Sequence, residues 1–456
     1  MTRFHVVGIG GMGMSAVARL LLARGDVVSG SDRGPWPLAE ALAASGARIF
    51  SSFDAGNVAG ADVVIRSSAY GDTNVEVAAA RARGMTVWKR EDAWRDLAAG
   101  KRVVAVAGTH GKSTTTALVW TALRAGGLDP SLICGAVLRD LGTNAYAGSG
   151  DVLVIEADEY DRAFLALDPE VAIVLNVEHD HIDVFPSRAD VEDAFAHFAA
   201  HVVPGGSLIA CADDPGSSRI AATAGGALPG RTVATFGTAS SATYRVVEVV
   251  QGPHGVSFDL SGPFGPTVPI ALRLLGVHNV RNAAGALAAA DALGVPATAA
   301  AKAFASFLGT GRRLEELGVA AGATVVDDYA HHPTEIRASI DAMRARTSGR
   351  LLVVFQPHTP SRLRAFFEDF AEALRTADEV VVAETFASAR ESADERAGAR
   401  ALAARAGGSY AATADDAARQ LAERVRSGDL VLVLGAGDIR PAGERLLELL
   451  RARAPV

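Results

Sequence analysis

The residues of this chain best placed to do chemistry are Gly108-Thr109-His110-Gly111-Lys112-Ser113, which follow the small and β-branched run Val104-Ala105-Val106-Ala107 and precede Thr114-Thr115-Thr116. Strand, glycine-rich turn, Lys, Ser/Thr and helix start is the order of a phosphate-binding loop. The spacing is shorter than the usual G-x-x-x-x-G-K-[ST], whose first glycine would fall at Val106. Lys112 can reach the β- and γ-phosphates of a nucleotide, and Ser113 can hold a divalent cation. The amides from Thr109 to Thr114 can cradle the anion. No guanine-specific Asn/Thr-Lys-x-Asp turn is present, so ATP is expected rather than GTP.

Acidic residues and histidines follow further apolar runs, where open α/β sheets bind ligands. "VLVIEADE" delivers Glu156, with Asp158 and Glu159 just beyond, and "IVLNVEHDHIDVF" delivers Asp180, His181 and Asp183. Mg2+ prefers hard oxygen ligands, which suits Glu156 and Ser113. His181 fits equally as a metal ligand or as a hydrogen-bonded core histidine. "DDYAHHPTEI" brings Asp327, Asp328, His331 and His332, two adjacent histidines that point different ways and so do not share one metal. "QPHTPSRLR" places His358, Arg362 and Arg364 after another strand, a clamp for a carboxylate or phosphate, with Arg364 read as a solvated helix face.

A second glycine-rich turn, "GIGGMGMSA", stands at the N-terminus. It carries Gly8, Gly10, Gly11 and Gly13, and Asp32 follows about twenty residues later at the end of the next strand. That pattern suits a dinucleotide-like ligand, either NAD(P) or a UDP-sugar, or a turn that only packs helix on strand. An NAD(P)-dependent oxidoreductase leaves the second loop unexplained.

These residues need α/β scaffolds, and the chain is long enough for several. At 456 residues, two to four domains are expected. Hydrophobic residues make up 49% and charged residues 21%, the balance of a globular protein, and the net charge of −8 disfavours nucleic acid or an anionic membrane as partner. Two cysteines, Cys134 and Cys211, make neither a disulfide framework nor a zinc spacing. No apolar run approaches the roughly 20 residues that span a bilayer, and the first residues run straight into a strand, so a cytoplasmic enzyme is expected. Short apolar runs alternate with helical patterns throughout, and a β-rich stretch from Tyr244 to Leu274 precedes an Ala-rich helix after His278. Three consecutive α/β domains with mainly parallel sheets are expected, at 1–99, 100–311 and 312–456.

The ordered motifs "GIGGMGMS", "GSD", "AGTHGKSTTT", "GTNA", "EADE", "NVEHDHID", "GVHNVRNAAGA", "GTGRRLE", "DDYAHHPTEI", "FQPH" and "GAGDI" run from end to end, and the chain resembles a Mur ligase. The resemblance implies a Rossmann-like N-terminal domain for a UDP-sugar, a central P-loop ATPase-type sheet, and a Rossmann-like C-terminal domain that receives the amino acid. It implies ATP-dependent joining of L-alanine to the lactyl carboxylate of UDP-N-acetylmuramate, with Mg2+, in a monomer or homodimer. By that likeness Gly108 to Thr114, Asn279 and Arg313 belong to ATP, and Ser113, Glu156 and His181 to the metal. Lys112, Asp328 and His332 join the catalytic set. Gly11, Met12, Ser31, Asp32, Ser67 and Ser68 match the uridine-diphosphate pocket, Asn144 the muramoyl region, and His331 with Arg362 the amino-acid side. Tyr160 stands where Ser is typical, and Thr359-Pro360 where a basic or apolar residue and Tyr are usual. The Tyr160 variant keeps a second activity open, attachment of a murein tripeptide to the same UDP-sugar. After "DHID" no Lys stands in place to be the carbamylated lysine of other Mur ligases.

Overall fold

Continuous apolar runs dictate buried parallel strands at the heart of the central and third sheets. "VVAVA" (103–107), "LLVVF" (351–355) and "LVLVL" (430–434) lie almost wholly out of water, as strands covered by helices on both faces must. A computed structural model describes residues 1–34, 36–227, 229–386 and 398–453.

The N-terminal sheet has five parallel strands in the spatial order Arg48–Phe50, Val27–Ser31, Arg3–Val7, Val63–Arg66, Thr86–Lys89. Chain order reverses between Arg3–Val7 and Val63–Arg66, so the crevice at that switch point opens beside Gly8 and Ser67. This is a Rossmann-like arrangement. The central sheet has ten strands. Its parallel heart sets Arg102–Ala107 between Val171–Val174 and Val152–Glu156, with Ser131–Leu138 beyond the latter. Antiparallel strands Gly255–Gly262 and Gly265–Leu272 extend one side, and Thr143–Tyr146 closes the other. The third sheet is parallel from Ala323–Asp328 through Leu430–Leu434, Leu351–Phe355 and Glu379–Ala383 to Ser409–Ala411, with antiparallel Glu315–Ala320 on its edge.

The Ala-rich run after His278 is helix Val277–Ala292, buried along almost its whole length. Its small side chains let it lie against both helix Lys112–Ala125 and the sheet. The first helix, Met12–Ala23, starts directly after Gly11, which takes the extended conformation of an N-cap. Strands Arg48–Phe50, Ser131–Leu138, Thr143–Tyr146 and Glu315–Ala320 carry no clear apolar alternation and escape a pattern reading.

Helix Met12–Ala23 packs across the domain junction onto Ser131–Leu138 and Thr143–Tyr146. The fully buried Asn144 pins it there: its amide Nδ2 donates to Met12 O at 2.6 Å and to Ser15 Oγ at 3.3 Å. Asn144→Ala leaves the Met12 carbonyl short of a buried donor. It is expected to lower unfolding stability by about 1–3 kcal/mol in a denaturant titration. Unchanged stability would show that water takes over the bond.

Candidate active site

The phosphate loop leaves strand Arg102–Ala107 at Gly108 and enters helix Lys112–Ala125 at Gly111, whose φ of +84° is left-handed. A Cβ on Gly111 would stand 2.6 Å from Asn282 Oδ1, so only glycine serves there. Asn176, just past the neighbouring strand, clamps the loop from the side: its Oδ1 accepts from His110 N at 2.7 Å, and its Nδ2 donates to His110 O at 3.0 Å. Thr109 Oγ1 accepts from Glu178 N at 2.9 Å.

Lys112 folds back over this loop. Its Nζ donates to Gly108 O at 2.6 Å and Thr109 O at 3.1 Å and meets Glu159 Oε2 at 2.9 Å. Burial works against its charge, but Glu159 and Asp158 outweigh that and hold its pKa above the usual lysine value. The pairing register explains the company: Val106 faces Glu156 on one flank, and Ala107 faces Val174 on the other. Ser113 Oγ donates to Glu156 Oε1 at 3.0 Å, and Glu156 Oε2 accepts from Gly135 N at 2.6 Å. His181 is not a core histidine. Its side chain is 23% exposed, its backbone takes a φ of +49°, and its Nε2 lies 3.7 Å from Glu159 Oε1. Tyr160 stands edge-on to its ring at 5.1 Å and donates to Asp183 at 3.0 Å.

A cavity of about 340 Å3 opens between the loop and the third sheet. His110, Gly111, Thr114, Asn279, Arg313 and Asp328 line it, while Ser113 with Glu156 and Lys112 with His181 around Glu159 gather at the start of helix Lys112–Ala125. Burial pushes the Asp328 carboxyl up to about 6, against the pull of Arg313. The two adjacent histidines do part company. His331 Nδ1 donates to Tyr329 O at 3.0 Å, whereas His332 caps helix Pro333–Arg344 and lies 4.7 Å from the His110 ring, tilted by 39°. Burial drives His331 down to about 3 and His332 to about 4, so both are neutral. Arg362 is buried against Asp180, Nη2 to Oδ1 at 2.8 Å, and that charge keeps Asp180 ionised against its burial.

The N-terminal turn forms a separate site. Gly8 N and Ile9 N donate to Ser31 O, while the Ser31 hydroxyl is buried on Glu76. Asp32 braces the same turn, accepting from Gly10 N at 2.9 Å and from Arg33 N at 2.8 Å. Gly11 and Met12 open the helix, Met12 44% exposed, and Ser67 and Ser68 follow the adjacent strand. Sequence reasoning gave no role to Asn176, Glu178, Asn282 or Glu335. The first two sit two residues apart directly after a buried strand, and that position is the signal that marks them.

Residues 3–102 match the Mur ligase family catalytic domain, 106–290 the Mur ligase middle domain, and 312–437 the Mur ligase glutamate ligase domain. The chain belongs to the Mur ligase family. It is 43% identical to the UDP-N-acetylmuramate–L-alanine ligase of Roseiflexus sp. (strain RS-1), over 98% of this chain and 99% of that one. It is 42% identical to the enzyme of that name from Chloroflexus aggregans over the whole of both chains. The crystal structure of the UDP-N-acetylmuramate-alanine ligase of Thermotoga maritima superposes over both full chains with a TM-score of 0.83 at 28% identity. A murein peptide ligase from Psychrobacter arcticus shares the fold, with a TM-score of 0.76 at 23% identity over both full chains.

One ion-pair group ties the loop to the third domain. His110 lies between Glu178 (Nε2 to Oε2, 3.6 Å) and Glu335 (Nδ1 to Oε1, 3.4 Å). Burial alone would lower its pKa, but these carboxylates overcome burial and raise it to about 10. Because the folded pKa lies above the unfolded value of about 6.5, this stabilisation is complete below pH 6.5 and disappears as pH rises towards 10. His110→Gln is therefore expected to lose on the order of 3 kcal/mol at neutral pH and almost none near pH 10. Denaturant titrations of both proteins across that range check this, and a constant difference would contradict it.

Proposed function

We propose that this chain joins L-alanine to the lactyl carboxylate of UDP-N-acetylmuramate at the expense of ATP, a step of peptidoglycan precursor synthesis in the cytoplasm. The carrying observation is the phosphate loop set beside a cavity that the third domain completes with Arg313 and Asp328. The full-length likeness to alanine-adding ligases supports the same reading. Three domains, at 1–99, 100–311 and 312–456, divide the substrates. The Gly11–Met12 turn with Ser31, Asp32, Ser67 and Ser68 takes the uridine diphosphate, the loop takes ATP, and His331 with Arg362 faces the amino acid. Asn144 acts through helix Met12–Ala23, to which it is bonded.

A carboxylate and an amine do not condense usefully at neutral pH. ATP supplies a phosphoryl group that turns the lactyl carboxylate into an acyl phosphate with a good leaving group. Lys112 exchanges its loop carbonyls for phosphate oxygens and offsets their charge as it builds. Ser113 and Glu156 offer hard oxygen donors 3.0 Å apart, and His181 stands at the edge of the same cluster, a set that fits Mg2+. When bound, that ion draws charge from the β- and γ-phosphates. Arg313 addresses the terminal phosphate with Asp328 behind it, and Asn279 the adenine side. Orientation of carboxylate, phosphate and amine across one cleft contributes about 7–11 kcal/mol when geometry is right. His332, neutral and set against His110, is the candidate base for the amine's proton.

Phosphate release from ATP, measured with UDP-N-acetylmuramate and each amino acid in turn, tests the reading. L-Alanine is expected to give the highest kcat/KM. Turnover only with a murein tripeptide would transfer the assignment to the recycling activity, which Tyr160 leaves open. Lys112→Ala is expected to abolish turnover while UDP-N-acetylmuramate still binds in isothermal titration, because that ligand sits on another sheet. Retention of a sizeable share of turnover would remove Lys112 from the phosphate site. His181→Ala is expected to raise the Mg2+ concentration needed for half-maximal rate without changing the melting temperature of the metal-free protein. An unchanged Mg2+ requirement would take His181 out of the metal site.

A further inference from the structure

Two histidines and a glutamate converge in the wall between the central and third domains. His110, Glu178 and His332 each offer one ligand atom, and these atoms lie within 4.8 Å of one another. His332 Nδ1 stands 3.8 Å from Glu178 Oε2, and His110 Nε2 stands 3.6 Å from the same oxygen. Neither His110 Nε2 nor His332 Nε2 has a hydrogen-bond partner, although both atoms are buried and His332 is only 4% exposed. The remaining nitrogen of His110 faces Glu335 Oε1 at 3.4 Å, the carboxylate–histidine arrangement that fixes and strengthens a metal-bound imidazole.

We propose that His110, Glu178 and His332 form a binding site for a borderline transition-metal dication such as Zn2+, distinct from the oxygen-rich Mg2+ position at Ser113 and Glu156. Two imidazoles and one carboxylate select Zn2+, Co2+ or Ni2+ over Mg2+. A tetrahedral ion with bonds near 2.0–2.1 Å needs its ligands about 3.3 Å apart, so small side-chain rotations close the trio onto it. The long bond from Thr334 N to His332 Nδ1, at 3.3 Å, is the contact given up if Nδ1 is the ligating nitrogen. His110 and Glu178 line the 340 Å3 cavity, which leaves a fourth position for water or a phosphate oxygen. The ion takes the place of the proton that Glu178 and Glu335 hold on His110. Two ligands come from the central domain and one from the helix cap of the third, so the ion staples the cleft.

The test uses the full-length chain without nucleotide, with Mg2+ in large excess. Co2+ titration is expected to give one ion per chain with the intense visible bands of a four-coordinate centre, displaced by one equivalent of Zn2+. Glu178→Gln and His332→Asn are each expected to weaken Zn2+ about a hundredfold, and His181→Gln to leave it unchanged. Asparagine at 332 keeps a side-chain acceptor for the helix cap, so that variant reports on the ligand even where Glu178→Gln perturbs folding. Absence of a visible band and of Zn2+ binding overturns the proposal. So does a band that survives both Glu178→Gln and His332→Asn but is lost in His181→Gln, which would put the ion beside Lys112.

Discussion

A buried positive charge governs this structure. Lys112 Nζ is held on two loop carbonyls and against Glu159, with Asp158 and Glu156 close by. Three acidic side chains within four residues of the chain stand at this sheet end, with Lys112 against Glu159 and Arg90 against Asp158. Lys112 keeps its charge despite burial because they are there. Strand order creates this grouping. Arg102–Ala107 lies between the two strands that deliver Glu156 and Asn176, so loop, acids and clamp arrive together without any long-range adjustment.

The joints between domains coincide with the sites. Asn144 fastens the helix of the N-terminal turn, and Arg90 meets Asp158 at 2.9 Å beside the Lys112 cluster. Arg362 grips Asp180, the neighbour of His181, and Thr334 donates to Glu178 at 2.7 Å. Each contact joins residues of different sheets within a few residues of a group given a chemical role. Relative motion of the domains therefore alters the site directly, which suits a reaction that must admit three substrates and then exclude water from an activated carboxylate.

Much of this was legible in the sequence. The phosphate loop, Glu156 and the three α/β units announce themselves through local residue order, because a parallel strand buried on both faces must be a continuous apolar run. Short edge strands such as Arg48–Phe50 escape notice because only one flank is paired and apolar content is not demanded of them. Asp32 illustrates a different limit. Its spacing after the glycine-rich turn suggests a ligand contact, yet in space its oxygens also brace Gly10 and Arg33. Glu178, Glu335 and His110 belong to distant parts of the chain, and their electrostatic coupling depends on domain packing that no local pattern encodes. His181 is 23% exposed beside Glu159, a placement that its position in the sequence does not distinguish from a core one.

The central claim is that the loop of Lys112 serves to activate a carboxylate on a substrate held by another domain. UDP-N-acetylmuramate carrying 18O in its lactyl carboxylate, turned over with ATP and L-alanine, tests it through the mass of the phosphate released. One labelled oxygen in each phosphate is the expected result, because amine attack breaks the carbonyl carbon–oxygen bond and that oxygen leaves on phosphorus. Unlabelled phosphate accompanied by amide product would contradict it.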